Sequence, residues 1–169
     1  MTSIMLGLGK IVGLHLASDN YMVPVLRFNR FQKLAGPGYF WINPLTQKTL
    51  PPVSLGLRVG QFTFADVVSC DNIPHKINLT ILYKFEPALV QPEMMAQLVR
   101  LSEREVQKIV QDYASQGLRR LVALLKAEAL TGSQETTAVE RDLTNLLRSR
   151  LRPLGLQPLP QGGLLIKEI

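Results

Sequence analysis

Cysteine, histidine and tryptophan are nearly missing: one Cys, two His and one Trp in 169 residues. The lone Cys70 cannot close an internal disulfide, so nothing points to an oxidising compartment. His15, His75 and Cys70 fall short of the four ligands a structural zinc site wants, and the plain reading is a turn cysteine beside a strand-start histidine. No glycine-rich phosphate motif follows a strand; Gly36-Pro37-Gly38 is unsuited because proline removes a backbone donor. Ser102 and the Ser133–Thr137 cluster sit where helix caps belong, with no base or oxyanion site in view. These gaps argue against an enzyme: no catalytic, cofactor-binding or metal-ligating residue is expected, and no cofactor.

Long apolar runs are missing too. Met1 to Ala17 is mostly apolar, but Lys10, His15 and three glycines (Gly7, Gly9, Gly13) interrupt it. It falls short of the ~20 residues of a spanning helix, and it lacks the charged start and small-residue cleavage site of a secretory leader. Its length and glycines favour a buried strand, with a shallow membrane-contacting segment as the functional alternative.

What is present is an ordinary globular composition, 46% hydrophobic and 19% charged, with a net charge of +6. A basic surface attracts phosphate, on nucleic acid or on anionic lipid, or simply serves solubility.

The first half reads as strands. Tyr21 to Phe28 is apolar, with Pro24 suggesting an edge or a strand start. Gly36-Pro37-Gly38 turns the chain into Tyr39-Phe40-Trp41-Ile42, which Asn43-Pro44 ends. Val53, Leu55, Leu57 and Val59 alternate with small or polar residues. Phe62 and Phe64 keep that parity only if a bulge or bend lies near Gly60-Gln61. Cys70-Asp71-Asn72 makes a turn, and Ile77, Leu79, Ile81, Tyr83 and Phe85 then define the covered face of a long strand.

In the second half the period becomes 3.6. Pro92, Met94, Met95, Leu98 and Val99 make a short helix. Ser102 with Glu105 forms a capping box for a long helix with the stripe Val106, Ile109, Val110, Tyr113, Leu118, Leu121, Leu124 and Leu125. Read as Glu103 to Leu130, it would span about 40 Å at 1.5 Å per residue, with Gly117 marking a kink or a close packing contact. A third helix begins near Glu135, with Thr137 and Glu140 as a second capping box, and ends at Pro153 and Gly155. Gly163 to Ile169 reads as a strand returning to the sheet. The layout is α+β: a curved, mainly antiparallel sheet with two or three packed helices and a returning C-terminal strand, in one domain over 1–169 (strand-rich 10–88, helices 91–154, terminal strand 163–169).

Several segments resemble the SPFH, or Band 7, superfamily of stomatin, prohibitin and flotillin. They are Gly36-Pro37-Gly38-Tyr39-Phe40 with Pro44, the hairpin Val68-Ser69-Cys70-Asp71-Asn72-Ile73-Pro74, the strand end Ile81-Leu82-Tyr83-Lys84-Phe85, the helical Leu118-Arg119-Arg120-Leu121, and the closing stretch from Gly155. The family usually has threonine near Ser69. The resemblance implies a non-enzymatic scaffold that self-associates and organises proteins at a membrane surface. The chain itself would be peripheral, with the cytoplasmic face favoured. Its full-length form would be a homo-oligomer, with the lipid surface and membrane proteins or proteases as partners. Family members usually carry a membrane anchor before this domain and a coiled coil after it, so an excised domain or a minimal member is expected.

The competing class is a basic nucleic-acid-binding domain. The Arg148, Arg150 and Arg152 cluster offers phosphate contacts, but no aromatics interleave with it, and no nucleic acid is expected as a partner. Charged residues on the helices otherwise read as a solvated face. Membrane contact is expected from the N-terminal half, at Met5, Leu6, Leu8, Ile11, Val12, Phe40 and Trp41. For the aromatic strand around Trp41, packing into a core is the competing and preferred reading. Cys70 would be open to acylation if exposed near a membrane.

Overall fold

The change of period carries through to the order of elements. A computed structural model describes residues 13–130, 132–159 and 164–168. Eight strands come first: β1 (Leu14–Ala17), β2 (Tyr21–Arg27), β3 (Arg30–Ala35), β4 (Gly38–Trp41), β5 (Gln47–Thr49), β6 (Val53–Ser54), β7 (Arg58–Val68) and β8 (Pro74–Phe85). Helices α1 (Pro92–Leu98), α2 (Glu103–Val122), α3 (Ala127–Leu130) and α4 (Ser133–Leu151) follow, then β9 (Leu156–Pro158) and β10 (Leu164–Glu168). The architecture is α+β with a C-terminal strand, and every strand pairing is antiparallel. The strands divide among three sheets rather than one: β1-β4, β3-β2-β5 with β6, and β10-β8-β7 with β9.

These elements gather into two compact units. One holds the described residues up to Gly56 together with Gln91–Arg100; the other holds Leu57–Val90 and Leu101–Ile169.

In the first unit Ala17, Val23, Val25, Ala35 and Ile42 form a small core, with Phe40 packed against it. The start of β1 is tied to the end of β4 by the Ile42 N–H, which donates to the Gly13 carbonyl at 2.8 Å. Pro24 does not mark an edge: β2 has β3 on one side and β5 and β6 on the other. Its carbonyl accepts from Leu50 N–H at 3.0 Å, between the residues that pair with β6 (Tyr21, Met22) and those that pair with β5 (Val25 to Arg27). The missing donor therefore falls at the seam between two short strands, where no ladder bond is lost. A two-residue loop, Phe28-Asn29, closes the β2–β3 hairpin with φ 49° and 63°. Positive φ at both positions is the type I′ geometry that suits the strand twist. Asn tolerates it readily, whereas a phenylalanine there costs on the order of 1 kcal/mol.

The second unit is built on the β7–β8 hairpin. Ile77, Leu79, Ile81, Tyr83 and Phe85 are all buried, as their alternation predicts, and opposite them Gly60, Phe62 and Phe64 point inward from β7. The expected bulge near Gly60-Gln61 is absent. Leu57 and Val59 are instead 58% and 55% exposed, and Val53 belongs to β6, paired with Met22. The register shift lies between Phe64 and Val67, with Asp66 at φ 57°; one extra residue there returns Val67 to the core at 0% exposure. β9 and β10 both pair with β8, so the predicted return of the chain end occurs, together with a short strand that the pattern did not announce.

The Ser102–Glu105 capping box is present. Ser102 Oγ accepts from Glu105 N–H at 3.3 Å, and Glu105 Oε2 accepts from Ser102 N–H at 2.7 Å. Val110, Ala114, Gly117, Leu118 and Val122 form the buried stripe of α2. Gly117 is a packing contact and not a kink: a Cβ there would lie 2.8 Å from Leu143 Cδ1 and 3.0 Å from Leu146 Cδ2 of α4. α2 ends at Val122, not Leu130, so its 20 residues span about 30 Å, and Leu124 is 75% exposed. α4 starts at Ser133, after an N-cap at Gly132 that has no side-chain capping bond, so Thr137 lies inside the helix and not at its N-cap. Val139, Leu143, Leu147 and Leu151 are its buried stripe. The chain leaves the helical region through Gly155 in the left-handed conformation, φ 67°, and the Gly155 carbonyl accepts from Glu86 N–H at 2.7 Å.

Candidate membrane-contact surface

The β1–β4 pair sorts its residues onto two faces. Leu14 pairs with Trp41 and Leu16 with Tyr39, while His15 pairs with Phe40. Pleating places the first four together on one face and His15 with Phe40 on the other. The His15 and Phe40 rings stack with centroids 5.7 Å apart, and Phe40 is the half-buried side chain against the core. On the opposite face Leu16 is 59%, Tyr39 77% and Trp41 60% exposed. The aromatic strand is thus split: Phe40 packs inward, Trp41 outward, and Tyr39 and Leu16 join Trp41 through the register. The sequence reading took Tyr39-Phe40-Trp41 as one aromatic patch, with Phe40 and Trp41 as its contact candidates; Leu16 comes beside Tyr39 and Trp41 only through the β1–β4 register. Met5, Leu6, Leu8, Ile11 and Val12 lie outside the described residues.

Two neighbouring turns add exposed apolar side chains to the same unit. Phe28 at the β2–β3 turn is 69% exposed and Leu45 is 91% exposed. The Phe28 N–H donates to the Thr46 carbonyl at 3.1 Å, which brings the two turns together. Asn43 holds the second turn, its Oδ1 accepting from Leu45 N–H at 3.0 Å.

In the second unit the Ser69–His75 hairpin gathers a serine, an aspartate and a histidine. Their geometry is that of a turn lock. Ser69 is 4% exposed, and its hydroxyl lies within bonding distance of the Asp71 carboxylate and, at 3.0 Å, of the Ile73 carbonyl. His75 Nε2 reaches the same hydroxyl at 3.3 Å. Asp71 also accepts from Ala127 N–H, at 3.2 and 3.1 Å to its two oxygens, so it caps the start of α3 from across the unit. The Cys70 N–H donates to the Leu125 carbonyl at 2.9 Å, and its thiol side is exposed. The Ser69 hydroxyl, and after it the Ala127 N–H, hold the Asp71 carboxyl below the ordinary aspartate value. A serine engaged this way, with its aspartate on the wrong side of it, has no free hydroxyl to present to a substrate.

Among the described residues, no three His, Cys, Asp or Glu side chains gather closely enough to hold a metal ion. No described helix is long and apolar enough to cross a membrane. Arg148, Arg150 and Arg152 lie at the end of α4, where cations complement the helix dipole.

No curated protein matches the chain. A family model does, over most of its length. The match with the SPFH domain / Band 7 family runs over residues 17–169 and takes in the Gly36–Phe40 turn, the Ser69–Ile73 hairpin and the closing strands, so the chain belongs to that family.

Proposed function

We propose that this chain is a non-enzymatic scaffold domain that self-associates and organises proteins at a membrane surface, touching lipid through its first unit. SPFH/Band 7 domains are generally membrane-associated scaffolds without catalytic activity. What carries the reading in this chain is the exposed face of Leu16, Tyr39 and Trp41 on a small sheet whose other face is occupied by the core. Tryptophan and tyrosine favour the membrane–water boundary, where an apolar ring and a polar edge are both accommodated. A basic protein suits the anionic cytoplasmic leaflet, and peripheral association there is the localisation proposed.

Liposome flotation of the full chain tests this. The unchanged protein is expected to float with vesicles in high salt, where charge alone is screened. Tyr39→Ser with Trp41→Ser is expected to abolish high-salt flotation while leaving the thermal transition in place, because neither side chain enters the core. Flotation by both proteins that salt removes equally would mean that net charge was responsible, and the reading of this face would be wrong.

A further inference from the structure

The tip of the β2–β3 hairpin is electrostatically uncomfortable as it stands. Arg27 and Arg30 are directly opposed across the hairpin end, and like charges so placed destabilise a strand pair. A third guanidinium joins them: Arg100 donates to the Asn29 carbonyl at 3.0 Å. Among the described residues, none of the three arginines has a carboxylate within ion-pair distance. At the same tip Phe28 is 69% exposed in a left-handed conformation that asparagine or glycine would adopt more cheaply, with the Arg27 guanidinium 5.7 Å from its ring centroid. Arg27, Phe28 and Arg30, with Phe31 and Gln32, line a shallow open recess. Leu45, on the adjoining turn, supplies a second exposed apolar tip.

From this convergence we infer that the hairpin tip is an anionic-lipid anchor, in which Phe28 and Leu45 enter the interface while Arg27, Arg30 and Arg100 hold headgroup phosphates. The inference rests on the membrane reading above and adds to it a headgroup class and a second point of contact. Apolar tips ringed by long cationic side chains fit a membrane boundary, since the arginine stems lie along the apolar layer and their heads stay at phosphate level. The phosphates would also relieve the Arg27–Arg30 repulsion, which no described protein group does. The charge of the unit agrees: among its described residues Arg27, Arg30, Lys33, Lys48 and Arg100 stand against only Asp19 and Glu93, a balance of +3.

The test compares full-length protein on vesicles of phosphatidylcholine alone and of phosphatidylcholine with phosphatidylserine. The unchanged chain is expected to partition more strongly onto the phosphatidylserine vesicles. Arg27→Gln with Arg30→Gln should weaken that partitioning about 25-fold, at about fivefold per arginine, and leave phosphatidylcholine binding where it was. Phe28→Asn should lower binding to both vesicle types. Without lipid, the Arg27→Gln/Arg30→Gln protein should melt at the same temperature as its parent or higher, because a repulsion has been removed; a lower melting temperature would assign the arginines a structural role and overturn the inference. Equal binding of the parent to both vesicle types overturns it too, and leaves the membrane scaffold standing. Binding to neither overturns both. Loss of duplex DNA binding in the arginine variant, with no preference for phosphatidylserine in the parent, would assign the site to nucleic acid instead.

Discussion

At the scale of single residues, alternation was the most legible signal. Ile77, Leu79, Ile81, Tyr83 and Phe85 follow a period of two, and all five are buried. Pro24 shows how a correct local rule misplaces a strand. Proline does need a position free of ladder bonding, but the seam between β5 and β6 supplies one inside the sheet, and a seam made by residues more than twenty positions downstream leaves no trace around Pro24. Gly117 was legible as an anomaly, since glycine within a long amphipathic helix asks for a reason, and the reason is Leu143 and Leu146. One consequence is measurable. Leu118 follows that close contact at 0% exposure, so Leu118→Ala removes buried side-chain volume where two helices already touch. It should destabilise the domain by about 2–5 kcal/mol in urea unfolding monitored by circular dichroism. A change below about 1 kcal/mol would mean that the α2–α4 contact is far looser than described.

Elements were predicted best where one local signal sufficed, as with the Ser102–Glu105 start of α2, and worst where a distant contact decided. Nothing in Ala123-Leu124-Leu125-Lys126 breaks a helix, since no glycine or proline interrupts it. The break is explained by the Ser69–Ile73 hairpin, which takes the Leu125 carbonyl with Cys70 N–H and the Ala127 N–H with Asp71. Both are bonds a continuous helix would have used internally. This assigns Asp71 a role that pH should expose. Its carboxyl lies below the ordinary aspartate value in the folded protein, chiefly through the Ser69 hydroxyl and then through Ala127 N–H. A depressed carboxylate contributes stability that is fully present above its unfolded value and is lost as the pH falls through the folded one. The contribution should therefore be constant at neutral pH and disappear only in acid below the ordinary aspartate range. Asp71→Asn should remove it at every pH. Hydrogen exchange locates the effect: the Ala127 and Cys70 amides should exchange faster in Asp71→Asn at neutral pH, while amides in the middle of β8 keep their protection. Unchanged exchange at Ala127 would show that the hairpin does not hold the start of α3.

Across the whole molecule, charge and exposed apolar surface are unevenly shared. The described residues of the first unit carry +3, and the much larger second unit, with thirteen basic and eleven acidic residues, carries +2. The second unit keeps its own exposed apolar side chains at Leu57, Val59, Val68, Ile73 and Leu124, none of which the proposed membrane contacts use. Scattered exposed apolar residues are normal on a monomer, so they acquire meaning only if copies are brought together. A chain of net charge +6 resists that in solution, because identical copies repel. Binding an anionic surface neutralises the first unit, confines the copies to a plane and raises their effective concentration. Self-association is therefore expected to depend on the membrane: amine-reactive cross-linking should give monomer in dilute solution and a ladder beyond the dimer on phosphatidylserine vesicles at the same total protein. Raising salt in solution should imitate part of the effect, since screening shortens the reach of repulsion from about 10 Å at 0.1 M to about 3 Å at 1 M. Leu57→Ser with Val59→Ser should shorten the ladder without reducing the amount of protein bound to vesicles, which separates copy-to-copy contact from lipid contact. Protein that binds the vesicles and still cross-links only as monomer would refute self-association as the work of this chain, and would leave it a membrane-bound module whose assembly must come from elsewhere.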